Sequence, residues 1–516
     1  MKVEIIDTTL RDGEQTQGVS YTPHEKLHLA KMLLRDLKVD YIEVASARVS
    51  KGEFEAVRQI ASWAHHNNLH HKVEVLGFID GDISLNWIKD AGAVVMNLLC
   101  KGSLRHLEKQ LRKTPEQHVA NIKDIIHKAT EENIDINIYL EDWSNGMINS
   151  EDYVMYIIDA LKNENIGRIM LPDTLGVLNP IQTYEFCKKV VDKFPDIRFD
   201  FHAHNDYDMA VANVFAAVKA GITGIHTTIN GLGERAGNAP LSSVIGVLHD
   251  QLNAETNINE FEITKVSKMV ETFSGIRIPA NKPIIGENVF TQTSGIHADG
   301  DNKDHLYFNN LLPERFGRRR TYALGKLSGK ASIKKNLEEY GIPLSPEMIN
   351  KVTQRIIELG DKKENVTTDD LPFIISDILG EEALDYKVHI NHYSLSLSAG
   401  LKPFANVEVE IDGKKYQEIS KGDGQYNAFF KAVRVIYKNL GRELPLLTDY
   451  KVSIPPGGKT DAFVETIISW NWQGKEFKTK GLDADQTESA IKATEKMLNI
   501  IENPEFLNNI NNGFKK

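Results

Sequence analysis

The feature that most constrains this chain is an alternation running from residue 3 to about residue 230. Eight short β-type runs are separated by longer helical patterns. The runs are Val3–Ile6, Tyr41–Val44, Val73–Phe78, Val94–Leu98, Ile136–Leu140, Arg168–Leu171, Ile197–Phe201 and Gly224–Ile229. Strands joined by crossover helices pair in parallel, and each helix covers a face of the sheet. An open doubly wound sheet and a closed (β/α)8 barrel both satisfy this rule, and eight repeats favour the TIM barrel. The intervening helices carry their own start signals. Thr22-Pro-His-Glu25 combines a capping threonine, proline in the first turn and glutamate at the capping-box position. A chain of 516 residues exceeds one barrel, so further domains must follow it.

Barrels of this type place chemistry just beyond the C-terminal ends of their strands. The polar residues gather there in this chain. Run 1 leads into Asp7-Thr-Thr-Leu-Arg11-Asp12-Gly-Glu-Gln15, run 2 holds Glu43, run 5 ends Tyr139-Leu-Glu141-Asp142 and run 6 ends Asp173-Thr174. Run 7 ends His202-Ala-His204-Asn-Asp206, and run 8 leads into Asn230-Gly-Leu-Gly-Glu-Arg-Ala-Gly-Asn238. Singly, each reads as a helix cap or a surface loop; together, at one end of a barrel, they read as a site. Strand side chains at i and i+2 share a face, so the imidazoles of His202 and His204 converge. Asp12, facing them across the barrel mouth, completes a two-histidine, one-carboxylate set with coordination positions left open. A divalent cation held there would act as a Lewis acid on a chelated 2-oxo acid. Arg11 would stabilise the alkoxide that develops. Glu141 is a candidate general base, the structural alternative being a salt bridge within the barrel.

From residue 273 to 371 the pattern changes. Thr291-Gln-Thr-Ser-Gly-Ile-His297-Ala-Asp299-Gly300 is an ionisable cluster in a loop, followed by the basic stretch Arg315-Phe-Gly-Arg-Arg-Arg320. Helices around Ser332–Glu339 and Pro346–Leu359 read as linker material. The stretch Tyr386–Asn503 reads as an internal repeat, with Gly422-Asp-Gly-Gln425 through Ala432 matching Asp483-Ala-Asp-Gln486 through Ala493. The expected division is a catalytic TIM barrel (1–272), helical linker subdomains (273–380), an α+β pseudo-repeat regulatory domain (381–507) and a disordered tail (508–516). A net charge of −11 argues against nucleic acid. No apolar stretch is long enough to span a membrane. Two cysteines, Cys100 and Cys187, exclude a disulfide framework and a thiolate metal cluster. The first residues enter a strand without a signal-peptide pattern, so cytoplasmic location is expected.

The motifs around Asp7–Gln15, His202–Asp206 and Asn230–Asn238 resemble the signature of the 2-isopropylmalate synthase family. That family includes homocitrate synthases and (R)-citramalate synthases, which condense acetyl-CoA with a 2-oxo acid. The resemblance extends through Ser294-Gly-Ile-His297-Ala-Asp299 and Pro455-Pro-Gly-Gly-Lys-Thr-Asp461 to essentially the whole chain. It implies metal ligands Asp12, His202 and His204 with Asn238 as a fourth, the metal being Mn, Mg, Zn or Co. It also implies that Arg11 contacts the oxo-acid carbonyl and Thr174 its carboxylate, and that Glu141, His297 and Tyr307 take part in catalysis. A homodimer and an amino-acid effector, isoleucine or leucine, are implied as well.

The family's strand-5 motif carries serine where this chain has Tyr139, and a phenol there fills much of the room an isopropyl group needs. With Leu76 and Leu99 it makes a short apolar pocket that resembles the pyruvate pocket of (R)-citramalate synthases. Pyruvate fits, 2-oxoisovalerate is crowded, and the second carboxylate of 2-oxoglutarate would be desolvated unpaired. The expected activity is therefore (R)-citramalate formation, at the entry to isoleucine biosynthesis. The alternatives are 2-isopropylmalate synthesis for leucine and, from another class, a hydroxymethylglutaryl-CoA type C–C lyase. Against the lyase stands the long C-terminal domain; against a non-catalytic effector-binding protein stands the intact polar set.

Overall fold

The structure, a computed structural model, describes residues 1–292, 297, 300, 306–324, 329–339, 344–361, 371, 387–398, 400–453, 464–472, 475–483 and 485–503. Eight parallel strands close into a barrel: β1 Glu4–Asp7, β2 Tyr41–Ser46, β3 Val73–Phe78, β4 Val95–Lys101, β5 Asp135–Glu141, β6 Ile169–Asp173, β7 Phe199–Ala203 and β8 Gly224–Thr227. Closure comes from β1 pairing with β8, Glu4 against Gly224 through Asp7 against Thr227. The open doubly wound alternative is thereby set aside. All eight runs fall on strands, with ends displaced by at most three residues, because frayed strand ends are decided by pairing partners.

Three outer helices begin with proline after a capping residue: Pro23–Lys31 after Thr22, Pro115–Glu131 after Thr114, and Pro180–Lys193 after Asn179. Each has the reciprocal capping box. Each cap satisfies backbone N–H groups that the first turn leaves unpaired, and so aims the helix back along the sheet. The apolar faces of these helices and the outward residues of the strands form one continuous core, from Val3 and Ile5 to Val266 and Val270.

The inside of the barrel is polar below the mouth. Asn97 donates to Glu43 (2.8 Å) and to Glu74 (3.0 Å), and Asn137 donates to Asn97 (2.9 Å). Arg168 pairs with Glu74 and, through Nε, with Asp200 at 2.7 Å. All these side chains are buried. Arg168 sets its positive charge between the carboxylates of Glu74 and Asp200. Burial pushes the Asp200 carboxyl up, and Arg168 together with His226 outweighs it and holds it below the ordinary range.

Among the described residues the chain divides into two compact units. One is Met1–Thr291 with Phe308–Thr321, the other Gln292–Tyr307 with Tyr322–Lys516. In the first, the expected basic stretch is structural: Arg315 pairs with Glu260 (2.7 Å) and Asp250 (2.8 Å), and Arg318 donates to the Ile284 and Gly286 carbonyls. In the second, helices Lys330–Glu339 and Pro346–Asp361 share a small core of Leu324, Ile333, Leu337, Val352, Ile356 and Leu371. The C-terminal repeat is visible as two copies of one motif. Strands Val388–Ser396, Phe404–Ile411 and Lys414–Lys421 precede helix Gln425–Asn439, and strands Leu446–Ser453, Val464–Trp472 and Lys475–Asp483 precede helix Gln486–Ile501. The matched glutamines Gln425 and Gln486 each open a helix. In the first copy the hairpin turns at Asp412-Gly413, both with positive φ (51° and 74°), as a tight hairpin of matching twist requires. The two copies share one core, and Tyr426 meets Thr494 across the two helices at 2.8 Å. The sequence motif at 455–461 and the tail from 508 lie outside the described residues. No described helix is long and apolar enough to cross a membrane.

Removing Arg168 takes the guanidinium partner from two buried carboxylates, Glu74 and Asp200. Arg168→Met is expected to lose about 3–5 kcal/mol in urea unfolding; wild-type stability in that variant would mean the network carries no net stabilisation.

Candidate metal centre and active site

The loop after β1 turns on Thr8, whose carbonyl accepts the N–H groups of Arg11 (3.2 Å), Asp12 (2.9 Å) and Gly13 (3.1 Å). This turn folds Asp12 back over the barrel mouth. His202 lies within β7 and His204 just beyond its end. The Asp12 carboxylate reaches His202 Nε2 at 3.3 Å and His204 Nε2 at 3.9 Å. One ligand atom from each of the three lies within 4.8 Å of the others, and all three residues are buried. Asn238 is brought beside them by an antiparallel bridge between His204 and Asn238.

The donor set fits a divalent cation. Asp12 Oδ1, both ring nitrogens of His202, His204 Nδ1 and Asn238 Oδ1 are buried without a hydrogen-bond partner in the protein. Such groups are rarely left unsatisfied, and a cation satisfies the acceptors among them together. Their protonation states agree. Burial pushes His202 down although Asp12 pulls it up, and burial with neighbouring His202 pushes His204 down to about 4. Burial also raises Asp12, but Arg11 and the two histidines outweigh it and hold it far below the carboxylate range. Neutral imidazoles and an ionised carboxylate are the forms that bind metal.

Glycines hold the Asn238 loop. Gly233 has φ +152°, and a Cβ there would sit 2.2 Å from Asn238 Nδ2. Its N–H donates to Thr16 Oγ1 at 2.7 Å, and that hydroxyl donates back to the Gly233 carbonyl at 3.1 Å, tying the β8 loop to the β1 loop. Arg235 closes the rim, donating to Asp206 (2.8 and 3.0 Å) and to the Thr174 carbonyl (2.8 Å).

Arg11 is held by carboxylates on two sides, Glu43 at 2.5 Å and Asp12 at 3.2 Å. Its guanidinium carbon lies 5.7 Å from the centre of the Tyr139 ring. Leu76, Tyr139 and Met170 form a small buried apolar cluster of their own, with Leu99 packed against it. The Tyr139 ring is 5.8 Å from the His202 ring, so this cluster adjoins the candidate ligands. Burial, the largest influence, raises the Tyr139 phenol far above its usual value and keeps it neutral. Thr174 Oγ1 accepts the Asp142 N–H at 2.9 Å, which leaves the hydroxyl proton to be donated. Glu141, at the end of β5, pairs with Lys101 at the end of β4.

The rings of His297 and Tyr307 meet at a tilt of 32° with centres 4.2 Å apart, and His297 Nδ1 meets Gln292 Oε1 at 3.2 Å. Both belong to the second compact unit. The neighbours Ser294, Gly295, Ile296, Ala298 and Asp299 lie outside the described residues. Two polar residues at the mouth are local turn formers. Asp7 accepts the Thr9 N–H (3.0 Å), and Asp173 accepts those of Val177 and Leu178 (3.0 Å each). Sequence reading missed Met170, Asn97 and Lys101. Met170 stands opposite Tyr139 in the β5–β6 register, so knowledge of that register would have found it.

Residues 2–270 match the family model described as HMGL-like, 284–364 one described as homocitrate synthase post-HMGL domain-like, and 365–502 one described as the LeuA allosteric (dimerisation) domain. The chain is 35% identical to a 2-isopropylmalate synthase of Pyrococcus furiosus, over 97% of this chain and 99% of the relative. It is 32% identical to the (R)-citramalate synthase CimA of Methanocaldococcus jannaschii, over 98% and 100%. With a 2-isopropylmalate synthase of the same organism the identity is 33%, over 95% and 93%.

Protons would compete with a metal at His202 and His204 only below the pKa values of these candidate ligands. Both are depressed, so Mn2+ affinity is expected to fall less between pH 8 and pH 6 than two ordinary imidazoles would allow, and to fall further as pH approaches 4, where His204 takes up its proton. Isothermal titration calorimetry across this range checks it. A tenfold loss between pH 7 and pH 6 would place the imidazoles at their ordinary value.

Proposed function

The chain belongs to the HMGL-like family of acetyl-CoA-condensing citramalate and isopropylmalate synthases, and from that premise we propose that it condenses acetyl-CoA with pyruvate to give (R)-citramalate and CoA. Relatives of both names stand at similar identity, so the choice of oxo acid rests on the pocket. The supporting observation is the separate cluster of Leu76, Tyr139, Met170 and Leu99 beside His202 and Arg11. A side chain entering there meets a phenol and two leucines, which leave room for a methyl group and crowd an isopropyl.

In this reading Asp12, His202, His204 and Asn238 hold a divalent cation, Mn, Mg, Zn or Co, which when bound supplies Lewis-acid polarisation of the ketone. Arg11, fixed by Glu43 and Asp12, presents its remaining N–H donors toward the ketone oxygen and stabilises the negative charge that grows there. Thr174 donates its hydroxyl to the oxo-acid carboxylate. Glu141 takes a methyl proton from acetyl-CoA, and the resulting enolate carbon attacks the ketone carbon. Water then cleaves the thioester, releasing the CoA thiol. His297 and Tyr307 assist catalysis, as the family resemblance implies. The C-terminal LeuA-type domain supports a homodimer with an amino-acid effector. For a cytoplasmic citramalate synthase that effector is isoleucine.

Thiol release from acetyl-CoA with Mn2+ is expected to be strongest with pyruvate, weak with 2-oxoisovalerate and weaker still with 2-oxoglutarate. Preference for 2-oxoisovalerate would instead assign 2-isopropylmalate synthesis. Tyr139→Ser is expected to shift kcat/KM toward 2-oxoisovalerate relative to pyruvate by about tenfold or more. Glu141→Gln is expected to abolish exchange of the acetyl methyl protons with solvent. Full exchange in that variant would remove Glu141 as the base.

A further inference from the structure

Lys101 is a cation placed where the barrel could have put an apolar residue. It is the last residue of β4, and its register partner on β5 is Glu141. The side chain is 8% exposed, that of Glu141 26%, and the two form an ion pair. An ammonium withdrawn from water is costly unless its partner is held in good geometry, and the surroundings hold both.

The Lys101 backbone is gripped by side chains on both sides. Its N–H donates to His118 Nε2 at 3.0 Å, and its carbonyl accepts the Tyr153 hydroxyl at 2.8 Å. His118 can accept because burial, with Lys113 and Lys101 nearby, pushes it down to about 4 and keeps it neutral. The next residue, Gly102, donates its N–H to the Glu141 carbonyl at 2.7 Å. A Cβ at Gly102 would lie 2.5 Å from the Leu140 carbonyl oxygen, and one at Gly146 would lie 2.1 Å from that of Gly102. Both glycines are therefore required for this close approach. On the other side Asp142 adopts a left-handed φ of 64°, and its carboxylate accepts from Ser103 (2.7 Å) and Asn145 (2.8 Å). Glu141 sits between two strand ends whose backbones have little freedom, with one cation directing its carboxylate.

We propose that Lys101 is a positioning residue for the condensation: through its ion pair it holds the Glu141 carboxylate in the orientation from which it takes the methyl proton. This rests on the reading of Glu141 as the base. A residue that orients a general base changes the rate of proton transfer more than the binding of the oxo acid, since a small misplacement lowers rate steeply.

The experiment is a double-mutant cycle on full-length, Mn2+-loaded enzyme, using whichever of pyruvate and 2-oxoisovalerate it turns over. Lys101→Met is expected to lower kcat by about tenfold or more, with KM for the oxo acid and Mn2+ affinity within about twofold of wild type. Lys101→Arg, which keeps the charge, is expected to recover most of the loss. In an E141Q background, adding K101M is expected to change the residual kcat by less than about twofold, because Lys101 has no base left to direct. Unchanged kcat in K101M, or a full multiplicative loss in the double variant, overturns the role of Lys101. Wild-type kcat in E141Q alone overturns the base assignment instead. Should K101M fail to fold, as judged by circular dichroism, Lys101→Gln takes its place in the cycle.

Discussion

The pairing of β1 with β8 is the constraint from which the rest of the site follows. Residues 4–7 and 224–227 are far apart in sequence, and their four register pairs close the sheet. Closure sets the Asp7–Gln15 loop beside the Asn230–Asn238 loop. There Thr9 Oγ1 accepts the Ile229 N–H at 2.8 Å, and Thr16 and Gly233 bond reciprocally. With β7 next to β8, Asp12 then has the imidazoles of His202 and His204 within 4 Å. Without closure, Asp12 and the histidines are loop and strand ends about 190 residues apart in sequence, with no reason to meet.

A second theme is the contrast between the two interiors. Outside the strands the core is apolar, whereas inside the barrel Glu43, Glu74, Asn97, Asn137, Arg168 and Asp200 form a connected polar column. The column ends upward at Arg11, whose guanidinium is held by Glu43. The guanidinium at the mouth is thus backed by a buried carboxylate, itself anchored by the Asn97 amide. Networks of this kind rigidify a site when every member is paired. At the mouth, Asp12 Oδ1, both ring nitrogens of His202, His204 Nδ1 and Asn238 Oδ1 have no hydrogen-bond partner in the protein, and a cation would meet the acceptors among them.

Much of this was legible beforehand, and the reason differs by element. The eight runs were readable because parallel strands buried on both faces are continuous apolar segments. The paired histidines were readable because strand parity alone puts i and i+2 on one side. The capping box at Thr22 named its helix start in local sequence, and the structure shows the same device at Thr114 and Asn179. Glu141 reads either as a base or as a salt-bridge partner in sequence, and the structure supplies the partner, Lys101. Asp7 and Asp173 read like site residues, yet each braces its own turn, Asp7 through one carboxylate oxygen and Asp173 through both.

The sequence by itself determined the eight alternating strand and helix units, the repeat and the types of chemistry available, because periodicity, caps and short motifs are local properties. Only the tertiary structure decided which side chains meet. The Leu76–Tyr139–Met170–Leu99 cluster draws on strands β3 to β6, the Arg11–Glu43 pair joins the loop after β1 to β2, and Lys101 faces Glu141 only because β4 and β5 pair in that register. Register is a property of two strands together, and a one-residue slip would turn the strand-borne side chains among these to the opposite face.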